Sequence, residues 1–291
     1  MNTQKWHAKG SMQVLMGYPI FTRIEPDNGK PALLLIHGYP TASWDFEPVW
    51  QALSDTFRLV SCDMLGFGFS AKPESHDYTI HEQADIMEAL AGHAGLEQYH
   101  VLAHDYGDTV AQELLARHNH GESTGTILSM CFLNGGLFPE THQALRIQRL
   151  LLGPLGKWLC RFSGQASFNK SISRVFGPET KPNTETLDEF WRLVSYNDGN
   201  KLLYRLINYM RDRIEHRERW VEALQHSAVP TALINGSADP VSGAHMVARY
   251  QQLGCRLDYL AELADIGHWP QLEAPAEVCR HYLAFTQEVP Q

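Results

Sequence analysis

Five consecutive apolar residues, Ala32 to Ile36, run straight into His37-Gly38. A run this short, apolar on both faces and stopped by a turn signal, suits a central strand of a parallel sheet covered by helices. The rhythm then repeats. A helix-period segment from about Phe46 to Leu53 precedes an apolar stretch at Arg58 to Ser61. A longer one, His81 to Ala94, precedes His100 to Ala103, and Asp108 to His118 precedes Ile127 to Leu133. Such alternation implies right-handed crossovers and a doubly wound, mostly parallel α/β sheet. Ahead of it, Met12 to Met16 and Ile20 to Ile24 flank Gly17 and predict a hairpin.

The rhythm breaks after Asn134-Gly135-Gly136. From about Pro139 to Gln225 only helix-period segments occur, punctuated by Gly153-Pro154, Gly177-Pro178 and Lys181-Pro182. It resumes with Thr231 to Asn235, a helix from Gly243 to Leu253, a strand near Arg256 to Leu260 and a helix from Pro275. The expected division is a core over 1–138 and 228–291 with a helical lid, 139–227, inserted after the sixth strand. An insertion at a strand's carboxyl end sits where open sheets bind ligands. Phe138, Leu151, Leu152, Trp158, Phe162 and Phe176 suggest an apolar pocket beneath it.

Charge and cysteine usage narrow the partners. A net charge of -9 speaks against nucleic acid or an anionic membrane, which need a basic footprint. Arg211, Arg213, Arg217 and Arg219 interleave with Asp212, Glu215 and Glu218 and read as a solvated helix face. Five cysteines without Cys-x-x-Cys spacing suggest buried thiols in a reducing compartment. The first residues hold no apolar signal-peptide core, and no apolar run approaches the ~18 residues of a membrane span. A cytoplasmic protein without membrane insertion is the expectation.

The chemistry concentrates in three turns. Ala103-His104-Asp105-Tyr106-Gly107 joins an apolar strand directly to a helix, with small residues two before and two after Asp105. That is the pattern of a nucleophile elbow, whose small neighbours let strand and helix backbones nearly touch. A helix-capping role is the plainer alternative for such an aspartate. Asp239, in Asn235-Gly-Ser-Ala-Asp-Pro240, and His268, in Ile266-Gly-His-Trp-Pro270, follow the last two strands. Nucleophile, acid and histidine in this chain order, each at a strand end, form a candidate catalytic triad. The backbone amides of Tyr39 and Tyr106 would supply an oxyanion hole. His37 and the turn Asp63 to Ser70 read as architecture. A carboxylate at the elbow can displace at saturated carbon, giving an alkyl ester that a His268-activated water hydrolyses. Epoxides and alkyl halides suit this route, which needs no metal or cofactor.

Longer strings carry a resemblance. His37-Gly-Tyr-Pro-Thr41, Asp63 to Ser70, Ala103 to Asp108 and His268 to Pro275 look like the epoxide hydrolase and haloalkane dehalogenase branch of the α/β-hydrolases. Leu65-Gly-Phe-Gly-Phe-Ser70, His104 to Leu115 and Asn134 to His142 are closest to that branch's mesoderm-specific transcript group. The resemblance implies an α/β-hydrolase fold and an epoxide-hydrolase-like enzyme acting on a small apolar substrate and water. Dehalogenation or ester and lactone hydrolysis are its alternatives, and an inactive binding protein is the alternative of another class. Two departures stand out. Dehalogenases of the branch hold halide with a Trp after the nucleophile and an Asn in the His-Gly loop, where this chain has Tyr106 and Tyr39. Epoxide hydrolases carry a lid tyrosine in Asn-Trp-Tyr-Arg, where it has Asn208-Tyr-Met-Arg211. Tyr196, Tyr204 and Tyr209 remain as candidate lid proton donors.

Overall fold

The computed structural model describes residues 1–162, 164–287 and 289. Eight strands form one sheet: β1 (Ser11–Leu15), β2 (Tyr18–Ile24), β3 (Ala32–Ile36), β4 (Arg58–Cys62), β5 (Gln98–His104), β6 (Thr126–Leu133), β7 (Thr231–Gly236) and β8 (Tyr259–Leu263). Their spatial order is β1-β2-β4-β3-β5-β6-β7-β8. The hairpin β1–β2 and the β2–β4 pair are antiparallel, and every other pair is parallel. Alternate residues of β3 divide between two cores, Leu34 and Ile36 on one side of the sheet, Leu33 and Leu35 on the other. Both faces are thus covered, which is why the run reads as continuously apolar.

From β3 the chain steps outward to β4, then crosses to β5 on the opposite flank of β3. This reversal opens a crevice at the carboxyl ends of β3 and β5, the place where doubly wound sheets bind ligands. Between Leu133 and Thr231 the described residues hold no strand, only helices: Arg146–Leu151, Gly156–Phe162, Gln165–Ile172, Thr184–Ser195, Leu203–Leu206, Tyr209–Glu215 and Arg217–Gln225, with a 3-10 segment at Tyr196–Leu202. The insertion therefore rises from the β6 end, beside that crevice.

β8 lies later than Arg256 to Leu260. Arg256 and Asp258 are spent on the preceding turn, where Asp258 Oδ2 accepts from Thr231 N at 2.8 Å and from Arg256 Nε at 2.8 Å. The arginine-rich segment also differs from a solvated face. Arg219 pairs with Glu113, which also accepts from Arg117 Nε and from Trp220 Nε1 at 2.8 Å. Burial would raise the Glu113 carboxyl, but Arg219, Trp220 and Arg117 outweigh it and hold it at about 2. A carboxyl depressed on folding stabilises above its unfolded pKa and loses that contribution as pH falls through the folded value. Glu113→Ala should cost about 1–3 kcal/mol, chiefly by leaving the buried Trp220 Nε1 without its acceptor, since Arg117 keeps Asp85 and Glu88. Urea melts should show the deficit at neutral pH shrinking as pH drops from the ordinary glutamate range towards 2.

Candidate functional site

β5 ends at His104 and the helix Tyr106–Asn119 starts two residues on, so Asp105 alone makes the turn. Its φ of 48° and ψ of -105° are rare for a residue with a side chain, and such strain persists only where the surroundings over-determine it. The close approach is evident at Gly107, where an added Cβ would lie 2.3 Å from the Ile36 carbonyl oxygen. The Asp105 side chain makes no capping bond to the helix, so capping does not explain it. Instead Oδ2 accepts from the backbone amide of Tyr39 at 3.0 Å. The carboxylate is buried, 3% exposed.

Opposite stands His268. Its Nε2 lies 3.9 Å from Asp105 Oδ1, too far for a hydrogen bond, and its Nδ1 donates to Asp239 Oδ2 at 2.8 Å. Asp239 is itself fixed by the amides of Val241 (2.8 Å) and Ser242 (3.1 Å), by Ser242 Oγ (2.7 Å) and by Asn134 Nδ2 (3.2 Å). Asn134, at the end of β6, also pairs with both backbone groups of Gly236, tying the ends of β6 and β7 together. His104 donates from Nε2 to the His268 carbonyl at 2.7 Å, and burial keeps it neutral, pushing its pKa down to about 3. His37 is architectural: its Nδ1 donates to the Gly38 carbonyl and its Nε2 accepts from Met64 N.

The charges are mutually supporting. Burial would raise the Asp105 carboxyl, but His268, Arg213 and His104 hold it well below the usual carboxylate range. Burial would lower His268, yet Asp239 at Nδ1 and Asp105 facing Nε2 raise it well above the ordinary imidazole value. The Asp105 anion and a proton on His268 thus favour each other. Neutralising Asp105 would remove one of the two charges that hold that proton.

A cavity of about 880 Å³, open mouth included, ends at Asp105 and His268. Core residues Tyr39, Val241 and Trp269 form its floor, and Leu151, Ile172, Trp191 and Leu203 from the lid help form its walls. The three lid tyrosines fall outside it. Tyr209 is wholly buried between Tyr39 and Tyr106, Tyr204 accepts from Arg205 Nε at 3.0 Å, and Tyr196 packs on Phe69. Among the described residues the tyrosine on the cavity lining is Tyr39, 8% exposed, whose phenol burial raises well above its usual pKa and so keeps protonated. Of the apolar residues expected around the pocket only Leu151 is on its wall. Phe138 and Phe176 are core, Leu152 packs against the core, and Trp158 and Phe162 face outward.

Besides Asn134, two further polar residues escaped the sequence reading. Arg213, 1% exposed, reaches from the lid helix Tyr209–Glu215 beneath the elbow. It donates from Nε to Thr109 Oγ1 at 2.7 Å and from Nη2 to the Asp105 carbonyl at 3.3 Å, and lies over the Tyr209 ring. The solvated reading fails because this one arginine of the cluster faces the core; its signal is the aromatic Tyr209 one turn earlier. Asp45 accepts from Thr41 Oγ1 and from Trp269 Nε1, joining the loop of Tyr39 to the loop of His268. Burial pushes its pKa up to about 7.

Comparison with known proteins agrees with this architecture. The family described as alpha/beta hydrolase fold matches residues 31–275. The mesoderm-specific transcript homolog protein of Bos taurus is 39% identical over 289 residues, covering 96% of this chain and 86% of that protein. A Mycobacterium tuberculosis protein named as a hydrolase, LipZ, is 33% identical over 274 residues, 94% of each chain. Among solved structures, a loop variant of a haloalkane dehalogenase from Bradyrhizobium elkanii superposes with a TM-score of 0.79 at 18% identity, covering 96% of both chains. With the elbow, the crevice and the helical insertion after β6 all in place, the chain belongs to the α/β-hydrolase fold family.

Proposed function

We propose that the chain is an epoxide-hydrolase-like enzyme in which Asp105 is the nucleophile, His268 the base and Asp239 its orienting acid. One observation carries the reading: a carboxylate occupies the elbow, with one oxygen on the Tyr39 amide and the other facing a histidine whose far nitrogen is fixed on Asp239. Asp105 Oδ1 attacks a ring carbon, the C–O bond breaks, and the ring oxygen takes a proton from the Tyr39 phenol. An ester, a phenolate and the His268 imidazolium result. With the Asp105 charge gone, His268 surrenders its proton through cavity water to the phenolate and becomes a base. It then deprotonates a water that attacks the ester carbonyl, while the amides of Tyr39 and Tyr106 hold the oxyanion. Collapse releases the diol and restores the carboxylate and the imidazolium.

Tyr39 replaces the lid tyrosines in this scheme because, among the described residues, it is the tyrosine that shares the cavity lining with Asp105. Tyr39→Phe keeps the amide and removes the acid. Rapid-mixing assays on alkyl epoxides should show ester formation slowed by about 10²–10⁴-fold, with hydrolysis of preformed ester far less affected. An unchanged rate of ring opening would remove Tyr39 from the mechanism.

A further inference from the structure

The lid's outer surface departs from the charge of the chain as a whole. Residues 141–178 contain six basic residues and no aspartate or glutamate, so the remainder of the chain carries -15, that is, -9 less 6. The averaged charge conceals this segregation. Among the described residues, four of the ten exposed large apolar side chains fall inside the same stretch: Leu150, Leu155, Trp158 and Phe162, 53%, 63%, 61% and 79% exposed. Leu155, Trp158 and Phe162 are spaced three and four apart at the helix Gly156–Phe162, so they share one face. Arg146, Arg149, Lys157 and Arg161 are exposed around them. Among the described residues none of these four forms an ion pair. The same two helices turn Ile147, Leu151 and Cys160 inward to the cavity.

We infer that this face of the lid docks on an anionic lipid bilayer. Exposed Trp, Phe and Leu beside unpaired Lys and Arg are what an interfacial helix needs, the rings entering the headgroup region and the cations pairing with lipid phosphates. Charge complementarity selects this occupant, because a second copy would bring basic residues against basic residues. The acidic remainder of the molecule is repelled by such a surface, which orients the lid towards it. Docking places the wall of an apolar cavity against the phase in which apolar molecules collect. The surface stands on its own residues and holds whatever reaction the cavity performs.

Co-flotation of the intact protein with phosphatidylcholine vesicles, with and without phosphatidylglycerol, tests it. Binding is expected only to the phosphatidylglycerol vesicles, and should disappear at 1 M salt, where screening acts within about 3 Å. Each basic residue near the surface contributes about fivefold in partitioning, so Lys157→Gln with Arg161→Gln should weaken it roughly twentyfold. Trp158→Ser with Phe162→Ser should also release the protein, and both pairs should keep the wild-type thermal midpoint because these side chains are exposed. Indifference of the wild type to phosphatidylglycerol would overturn the inference. So would binding that survives both double substitutions, which would locate it on another face. A dimer in sedimentation that Trp158→Ser dissolves, without vesicle binding, would assign the face to a second copy and refute the bilayer.

Discussion

Asp105→Ala should reduce turnover by ~10³-fold or more, the largest loss expected from any single substitution in this chain. Among the described residues no other carboxylate lines the cavity, so none of them can take over the attack. The variant should still fold. Removing the side chain loses the hydrogen bond from Tyr39 N and the charge facing His268, and relieves the desolvation of a buried carboxylate, so the fold should persist with a loss of about 1–3 kcal/mol. Steady-state rates on an epoxide panel, read beside a thermal melt, give the outcome. Retention of more than about a hundredth of wild-type activity would show that Asp105 is not the nucleophile.

The second large effect separates attack by Asp105 from attack by water. His268→Gln removes the base for the second half-reaction and leaves the first half with its nucleophile and its acid. The variant should open substrate once and stall, and intact-mass spectra should show a gain of one substrate on the peptide containing Asp105. Wild-type enzyme in excess over substrate in ¹⁸O-water should give a first product with little label and place the label in Asp105. If Asp105 instead acted as a base on water, the first product would be fully labelled and no adduct would accumulate. That result would discard the ester while leaving the geometry of the site as described.

The sheet and the three facing side chains were legible because their signals are local. A buried parallel strand is a continuous apolar run, as at Ala32 to Ile36, and an elbow needs small residues at fixed offsets, as at Ala103 and Gly107. Asp239 and His268 were found by their places after successive strands. What escaped was set by convergence in space. The Tyr39 phenol became the candidate acid only once the lid closed a cavity over it. Arg213 sits in a string of alternating charges that describes a wet helix face equally well, and only packing shows which member turns inward. Asp45 and Asn134 are ordinary loop residues until their partners, more than a hundred positions away, arrive beside them. β8 was misplaced because a charged turn resembled the start of a strand.

The Arg213 fastening bears on how the lid is held. The helix Tyr209–Glu215 is bolted to the core at two points, by Arg213 to Thr109 and the Asp105 carbonyl, and by Asp212, whose carboxylate accepts from Ile80 N at 2.9 Å. Moving that helix away would strip a buried guanidinium of its partners and pull on the backbone of Asp105 itself. The opposite wall of the cavity, with Leu145, Ile147, Leu151 and Phe168, is tied to the core by backbone bonds at its two ends, Gln143 N to the Val241 carbonyl at 3.2 Å and His268 N to the Val175 carbonyl at 2.9 Å.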